Sequence, residues 1–180
     1  MSRTRILWPT SLFFGLGTLG LLGLARYLGT SWPHLSLMMV VGFGIWSLFE
    51  YVVHRFVNHS ANGSARWNWD DHNYHHSHPH DVGEFVYTLR FSAPVGLGCA
   101  CLGFMSFEQG GDGLSCVAGF WLGYLLYEWI HLCSHLPEAN QPAWLWAWSA
   151  THRRHHISRE PGNYGFITSL WDRVFGSYRL

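Results

Sequence analysis

The chain has 180 residues, enough for one domain, of which 48% are apolar, 17% aromatic and only 12% charged, with eleven acidic groups balancing eleven basic ones. Soluble domains carry roughly a quarter charged residues, so this composition excludes an ordinary soluble domain. All the basic residues are arginines, scattered without a basic stripe, which excludes a nucleic-acid partner.

In chain order, residues 7–25 carry no charge and are long enough to cross a bilayer core at helical rise. Arg3 and Arg5 ahead of an apolar run would also suit a secretory signal. No small-x-small cleavage site closes the run, however, and Pro9 sits early, so a membrane span is expected. Residues 35–53 form a second span, polar only near its end at Glu50. Residues 91–107 form a third, flanked by Arg90, and residues 114–133 a fourth, polar only at Glu128 and His131. Cys99, Cys101, Cys116 and Cys133 all fall in apolar segments, where cysteine acts as a small hydrophobe, so neither a disulfide framework nor a zinc ribbon is expected.

The arginines orient these spans. Arg3 and Arg5 precede the first, and Arg55, Arg66 and Arg90 lie between the second and third. Arg153, Arg154, Arg159, Arg173 and Arg179 follow the fourth, leaving only Arg26 for the other side. Positive charge collects on the cytoplasmic side, so both termini and both long polar segments, 54–90 and 134–180, are expected there as one cap. Within the cap, residues 142–148 carry Trp144, Trp146 and Trp148 at alternate positions. Tryptophan favours the membrane interface, so this stretch is expected to lie on the bilayer; core packing of the cap is the alternative.

Ten of the thirteen histidines fall in four clusters: His54 and His59; His72, His75 and His76; His131 and His135; His152, His155 and His156. Residues i, i+3 and i+4 share one helical face. Each triplet can therefore aim three imidazoles at one point or bridge two neighbouring points. His131 and His135 also share a face, continued backwards by Glu128 and Tyr124, and Glu50 shares one with His54. His54 and His59 are five apart, so the helix should end or bend near Asn58 if both are ligands. A single His-x-x-x-His is a weak signal; four clusters on one expected side are a strong one.

Neutral imidazole suits Fe, Zn and Cu, and ten are too many for one ion. They are about right for two ions some 3.5–4 Å apart, which points to a dinuclear, oxygen-activating site. Bundle di-iron proteins build such sites from carboxylates. Here carboxylates are scarce, so Glu50, Asp81, Glu128 and Asp172 are candidates to accept ring N–H groups from behind. Acidic residues within spans are usually functional, although Glu50 and Glu128 could simply reach the interface. His34, at the opposite membrane face, is expected to be interfacial, and His78 and His80 to be solvated loop residues.

At these residues the chain resembles the fatty acid hydroxylase / sterol desaturase superfamily of integral-membrane di-iron oxygenases. The segments E-Y-V-V-H-R-F-V-N-H, H-N-Y-H-H with P-H-D, Y-L-L-Y-E-W-I-H-L-C-S-H and H-R-R-H-H resemble its histidine boxes, and residues 163–178 its closing segment. The resemblance runs from about residue 50 to 180 and is strongest to fatty-acid 2-hydroxylases. It implies an all-α integral membrane protein whose four transmembrane helices carry a cytosolic, histidine-rich helical cap holding a dinuclear metal site, with residues 1–180 as one such domain. It makes the ten clustered histidines ligands of two Fe ions, with Zn able to replace iron in purified samples. Glu50, Asp81, Glu128, Asn163 and Asp172 would stand behind them. It further implies O2 as co-substrate, a lipid substrate from the bilayer, and hydroxylation of an unactivated acyl C–H. Only a few residues precede the first span, so no fused haem domain is expected. Two electrons would then come from a separate ferredoxin- or cytochrome-type donor with its reductase. His78 and His80 are additions to the pattern.

Two other readings stay open. Sterol or carotenoid hydroxylation or desaturation would use the same boxes. A non-enzymatic metal-binding protein would use the same ligands, although transport would favour polar groups near mid-bilayer. A zinc hydrolase is disfavoured, since no His-Glu-x-x-His is present.

Overall fold

The computed structural model describes residues 6–59, 66–81, 89–140, 142–158 and 160–180. Arg3, Arg5 and Arg159, and positions 60–65 and 82–88 of the expected cap, lie outside the described residues. The described residues are helical or irregular, with no strand among them. Four helices are long and apolar enough to cross a membrane: α1 (Trp8–Tyr27), α2 (Trp32–Val52) continuing as a π-helical turn (Val53–Asn58), α4 (Leu89–Ser106) and α5 (Gly110–Ser134). They fall where the apolar runs placed them. Between and after them come α3 (Arg66–Ser77), α6 (Ala143–Trp148), α7 (Ala150–Ile157) and α8 (Leu170–Val174).

The chain divides into two compact units. One comprises residues 4–46 and 87–126. It contains α1, α4 and the greater parts of α2 and α5, and Leu12, Leu16, Leu19, Val40 and Leu102 are exposed along them, as side chains facing lipid would be. Its interior is built by close backbone approach. A methyl group at Gly42 would overlap the Cys116 carbonyl, and one at Gly119 the Met39 carbonyl, so α2 and α5 touch main chain to main chain. Small residues permit this approach, which brings packing energy where lipid supplies no hydrophobic drive. Aromatic rings fill the remaining space edge to face. Phe14 lies 5.0 Å from Trp121 and 4.8 Å from Tyr124, and Trp46 lies 4.9 Å from Phe120. Helix α1 stops because Gly29 takes φ +94°, letting Thr30 N–H reach back to the Ala25 carbonyl at 3.1 Å.

The other unit comprises residues 47–86 and 127–180, and it holds every clustered histidine. Its α6 carries Trp144 and Trp148 one turn apart and exposed, with Leu145 buried behind them. The Trp148 indole N–H donates to the Ile167 carbonyl at 3.0 Å, and Trp146 lies under the Arg153 guanidinium. The helix thus exposes one apolar face, as its expected place on the bilayer would require, and packs the other into its unit. The tail after α7 is irregular. It is fastened by Asn163, whose φ of +56° is a left-handed conformation that asparagine tolerates. The Asn163 side chain clasps the Arg179 backbone both ways: its Oδ1 accepts from Arg179 N–H at 2.9 Å and its Nδ2 donates to the Arg179 carbonyl at 3.1 Å.

Candidate metal centre

The ten clustered histidines gather in two groups of five. His54, His59, His72, His76 and His155 form one, and His75, His131, His135, His152 and His156 the other. In each, one nitrogen per ring lies within 4.8 Å of all the others. The sequence left open whether a triplet serves one point or two; each serves both. On α3 the i, i+4 pair His72 and His76 joins the first group while His75 joins the second. On α7 the pattern is exchanged, with His155 in the first group and the pair His152 and His156 in the second. Each group is completed by two histidines from the end of a long helix. The rings of His76 and His156 stack at 4.1 Å where the groups adjoin.

His54 and His59 reach one group because the helix widens. The expectation was that it would end or bend near Asn58. It does end there, and residues Val53–Asn58 wind as a π-turn, closed by His59 N–H donating to the His54 carbonyl at 3.2 Å. An i→i+5 turn puts residues five apart on one side. His131 and His135 need no such device, being one α-turn apart.

The nitrogens fit a metal ion. In the first group the Nε2 atoms of His59 and His155, and of His72 and His59, are 2.9 Å apart. The pairs His72–His76, His76–His155 and His54–His59 are at 3.0, 3.2 and 3.3 Å. In the second group His75–His131 and His152–His156 are each 3.0 Å. Nitrogens held about 2.1 Å from a shared ion at right angles would be about 3.0 Å apart. Clustered lone pairs repel unless a cation lies among them, so the donor set suits an imidazole-bound divalent ion.

The site also keeps its rings neutral, the form that binds metal. Burial, then repulsion from neighbouring imidazoles, lowers His59 and His75 to about 3 and His76 to about 4. His135 is lowered to about 2, and His72, His152, His155 and His156 are lowered too, burial being the largest cause each time.

Behind the rings the arrangement differs from expectation. The Nδ1–H of His54 donates to the Tyr164 carbonyl at 2.6 Å and that of His155 to the Gly162 carbonyl at 2.8 Å. For these two rings backbone takes the proton where a carboxylate was expected, because the tail runs past their edges. Asp172 is fully buried and accepts from the N–H groups of Tyr164 and Gly165, each at 2.8 Å. Glu50 Oε1 accepts from Phe166 N–H at 3.1 Å and Ile167 N–H at 2.9 Å. Both carboxylates hold the loop that holds the rings. Glu128 is buried one turn before His131. Asp81 is exposed in a turn, its N–H bonded to the His78 carbonyl, and Asn163 belongs to the tail clasp. His78 stacks on Tyr74, and His80 is exposed with Nδ1 at 3.5 Å from the His135 carbonyl. His34 is exposed and pairs with Asp112.

Sequence reasoning missed Phe166. Its buried ring stacks on His152 at 4.1 Å and lies within 4.9 Å of His54, His131 and Tyr127. A phenylalanine in an irregular tail carries no periodic spacing that would connect it to histidines on three other elements.

Four helices of membrane-spanning length and two five-histidine groups that could each hold an ion are the features a membrane metalloprotein would need. Residues 39–177 match the family described as fatty acid hydroxylase, and the chain belongs to that family. It is 30% identical over 144 residues to a fatty acid 2-hydroxylase of Macaca fascicularis, covering 77% of this chain and 38% of that protein. It is 30% identical over 157 residues to the dihydroceramide fatty acyl 2-hydroxylase FAH1 of Arabidopsis thaliana, covering 83% of this chain and 64% of that one. Among solved structures it is similar to full-length Scs7p, of which only the hydroxylase domain is visible. The TM-score is 0.76 at 21% identity, over 97% of this chain and 67% of that chain, a likeness of fold. The chain therefore spans 38% of the length of the mammalian relative it matches.

Proposed function

We propose that this protein hydroxylates the acyl chain of a lipid at carbon 2, using O2 and two electrons from a separate ferredoxin- or cytochrome-type donor. One oxygen atom enters the C–H bond, and the other leaves as water with two protons. The observation that carries the reading is the pair of five-imidazole groups in a chain of the fatty acid hydroxylase family. The relatives named as fatty acid and dihydroceramide fatty acyl 2-hydroxylases support the substrate class and the carbon.

His54, His59, His72, His76 and His155 would hold one iron ion, and His75, His131, His135, His152 and His156 the other. When bound, such a pair supplies the activation of O2 that no side chain can provide. The protein's own contribution is positional. His54 and His155 are each held with the proton on Nδ1, leaving Nε2 to bind. Phe166 packs against both groups and keeps water from the rings beside it. The exposed apolar side chains of α1, α2 and α4 suit a protein whose substrate arrives laterally from the bilayer. The arginine distribution supports a cytoplasmic position for the histidines and both termini.

The test is lipid mass spectrometry of cells expressing the protein or its His155→Ala variant, with an electron donor present. A lipid heavier by one oxygen atom, at carbon 2, only with the wild type is expected. A lipid lighter by two hydrogens would replace this reading with desaturation. No difference in any lipid, with expression confirmed, would sink it in favour of a non-catalytic metal-binding role.

A further inference from the structure

The loop that carries the ring acceptors has no regular structure of its own. Residues 162–167 run past His54 and His155 in irregular conformation, and their direction is set from outside. Asp172 is the principal anchor. Its Oδ1 accepts from Tyr164 N–H and from the Ser177 hydroxyl, and its Oδ2 from Gly165 N–H, all at 2.8 Å. Tyr164 is thus held at both ends: its N–H by Asp172 and its carbonyl by the His54 ring.

The polarity of the network follows from counting protons. Asp172 with three donors around it is a carboxylate, and Ser177 gives its one hydroxyl proton to it. The Tyr51 hydroxyl, 2.8 Å from Ser177 Oγ, must then donate to that oxygen. Arg55, which can only donate, gives a proton to the Tyr51 oxygen. Two arms of donors therefore converge on the Asp172 carboxylate, one running from Arg55 through Tyr51 and Ser177 and the other from the His54 ring through the Tyr164 peptide. Both begin on the helix that carries His54, so the C-terminal tail is bound into the setting of that ring. Cooperative polarisation strengthens such chains.

In the second group, Nδ1 of His152 and Nδ1 of His156 are buried and meet no acceptor among the described residues. The two groups are equal in ligand number, and His152 and His156 differ from His54 and His155 in what meets the outer ring nitrogen.

We propose that Asp172 is a positioning residue for His54 and His155, and that it governs retention of the metal ion in their group while leaving the other ion to its own ligands. This rests on the two-ion reading above, not on the reaction. Losing an outer hydrogen-bond partner of a ligating histidine typically weakens metal binding about 10–100-fold.

The experiment uses the full chain in detergent, loaded with Zn2+ alone, challenged with a chelator and measured for zinc per chain. Wild type is expected to retain two ions and Asp172→Ala one. Combining Asp172→Ala with His59→Ala should still leave one, because both act on the same group. Combining it with His135→Ala should leave none. Ser177→Ala removes a single donor and keeps the carboxylate; it should leave two ions, one of them dissociating about tenfold faster or more. This milder variant decides the matter if Asp172→Ala does not fold. Two ions released at wild-type rates from both variants would overturn the proposal, as would equal loss from both groups or loss confined to the His75 group. A wild type that binds fewer than two ions would overturn the two-ion reading itself. A wild type with two ions and no lipid product would overturn only the reaction.

Discussion

The Nδ1–H of His155 donates to the carbonyl oxygen of Gly162 at 2.8 Å. A carbonyl can only accept, so the proton is fixed on Nδ1. The Nε2 lone pair is then left facing His59 at 2.9 Å and His76 at 3.2 Å. One ring thus links the tail to the centre of its group. Replacing it removes a ligand and leaves the Gly162 carbonyl without its donor. His155→Ala is expected to lower product formation to background. His34→Ala, at an exposed ring paired with Asp112, should leave it within about twofold, since surface pairs contribute little. Lipid analysis of the two variants side by side checks the assignment, and equal effects would break it.

Acid should destabilise the metal-free protein. His59 and His75 are held at about 3 and His76 at about 4 in the folded chain, against about 6.5 for an unburied imidazole. The unfolded chain therefore takes up protons first as pH falls. Stability is full above about pH 6.5 and declines from there toward pH 4, because protonation favours the unfolded state. Thermal unfolding of chelator-treated protein in detergent should show a falling midpoint between pH 7.5 and pH 5, conditions chosen to bracket that value on the order of one unit. A midpoint that does not move would mean the rings are wetter than their burial implies.

Phe166→Ala should rank among the most destabilising changes in its unit. The ring is buried against His54, His131, His152 and Tyr127. Deleting a buried phenylalanine costs about 3–5 kcal/mol, part of it for the cavity left behind. Phe166→Leu should cost clearly less. Unfolding midpoints of the two variants, each with and without zinc, give the comparison.

Asn163 separates two effects in one residue. Asn163→Gly keeps the left-handed backbone at φ +56° but removes both bonds to Arg179. It should cost about 1–2 kcal/mol. Asn163→Ala loses the bonds and also strains the backbone, adding about 1 kcal/mol. The order glycine above alanine in thermal stability is the expected result, and the reverse order would contradict the conformational argument.

Gly119→Ala tests the contact of α2 with α5. The added methyl group would meet the Met39 main chain, which cannot rotate away as a side chain could. A loss of about 1–3 kcal/mol is expected, read as a lower unfolding midpoint in detergent. Gly20→Ala, where a methyl group meets nothing, is the matched control and should leave the midpoint unchanged.

The amino-acid sequence by itself determined the four apolar helices, the clustering of ten histidines at their polar ends, and the helical spacing that lets each cluster act as a unit. These are short-range properties: a run of uncharged residues and an i, i+3, i+4 pattern are complete within twenty residues. The partition of the histidines was decided only by the tertiary structure. His72 and His75 are neighbours on α3 yet belong to different groups, because the faces of α3 and α7 cross between the two. The sequence pointed to an end or bend near Asn58, where the helix does end; that its last residues wind as a π-turn, which resolves the five-residue spacing, was not legible. Glu50 and Asp172 were legible as important acids, but not as anchors of a loop. Their partners are backbone N–H groups, which every residue carries and no motif marks. Phe166 and the carbonyls of Gly162 and Tyr164 were illegible for the same reason. Their roles arise from where an irregular tail is tied, and two of those ties, Tyr164 to His54 and Phe166 to Glu50, join residues over a hundred positions apart.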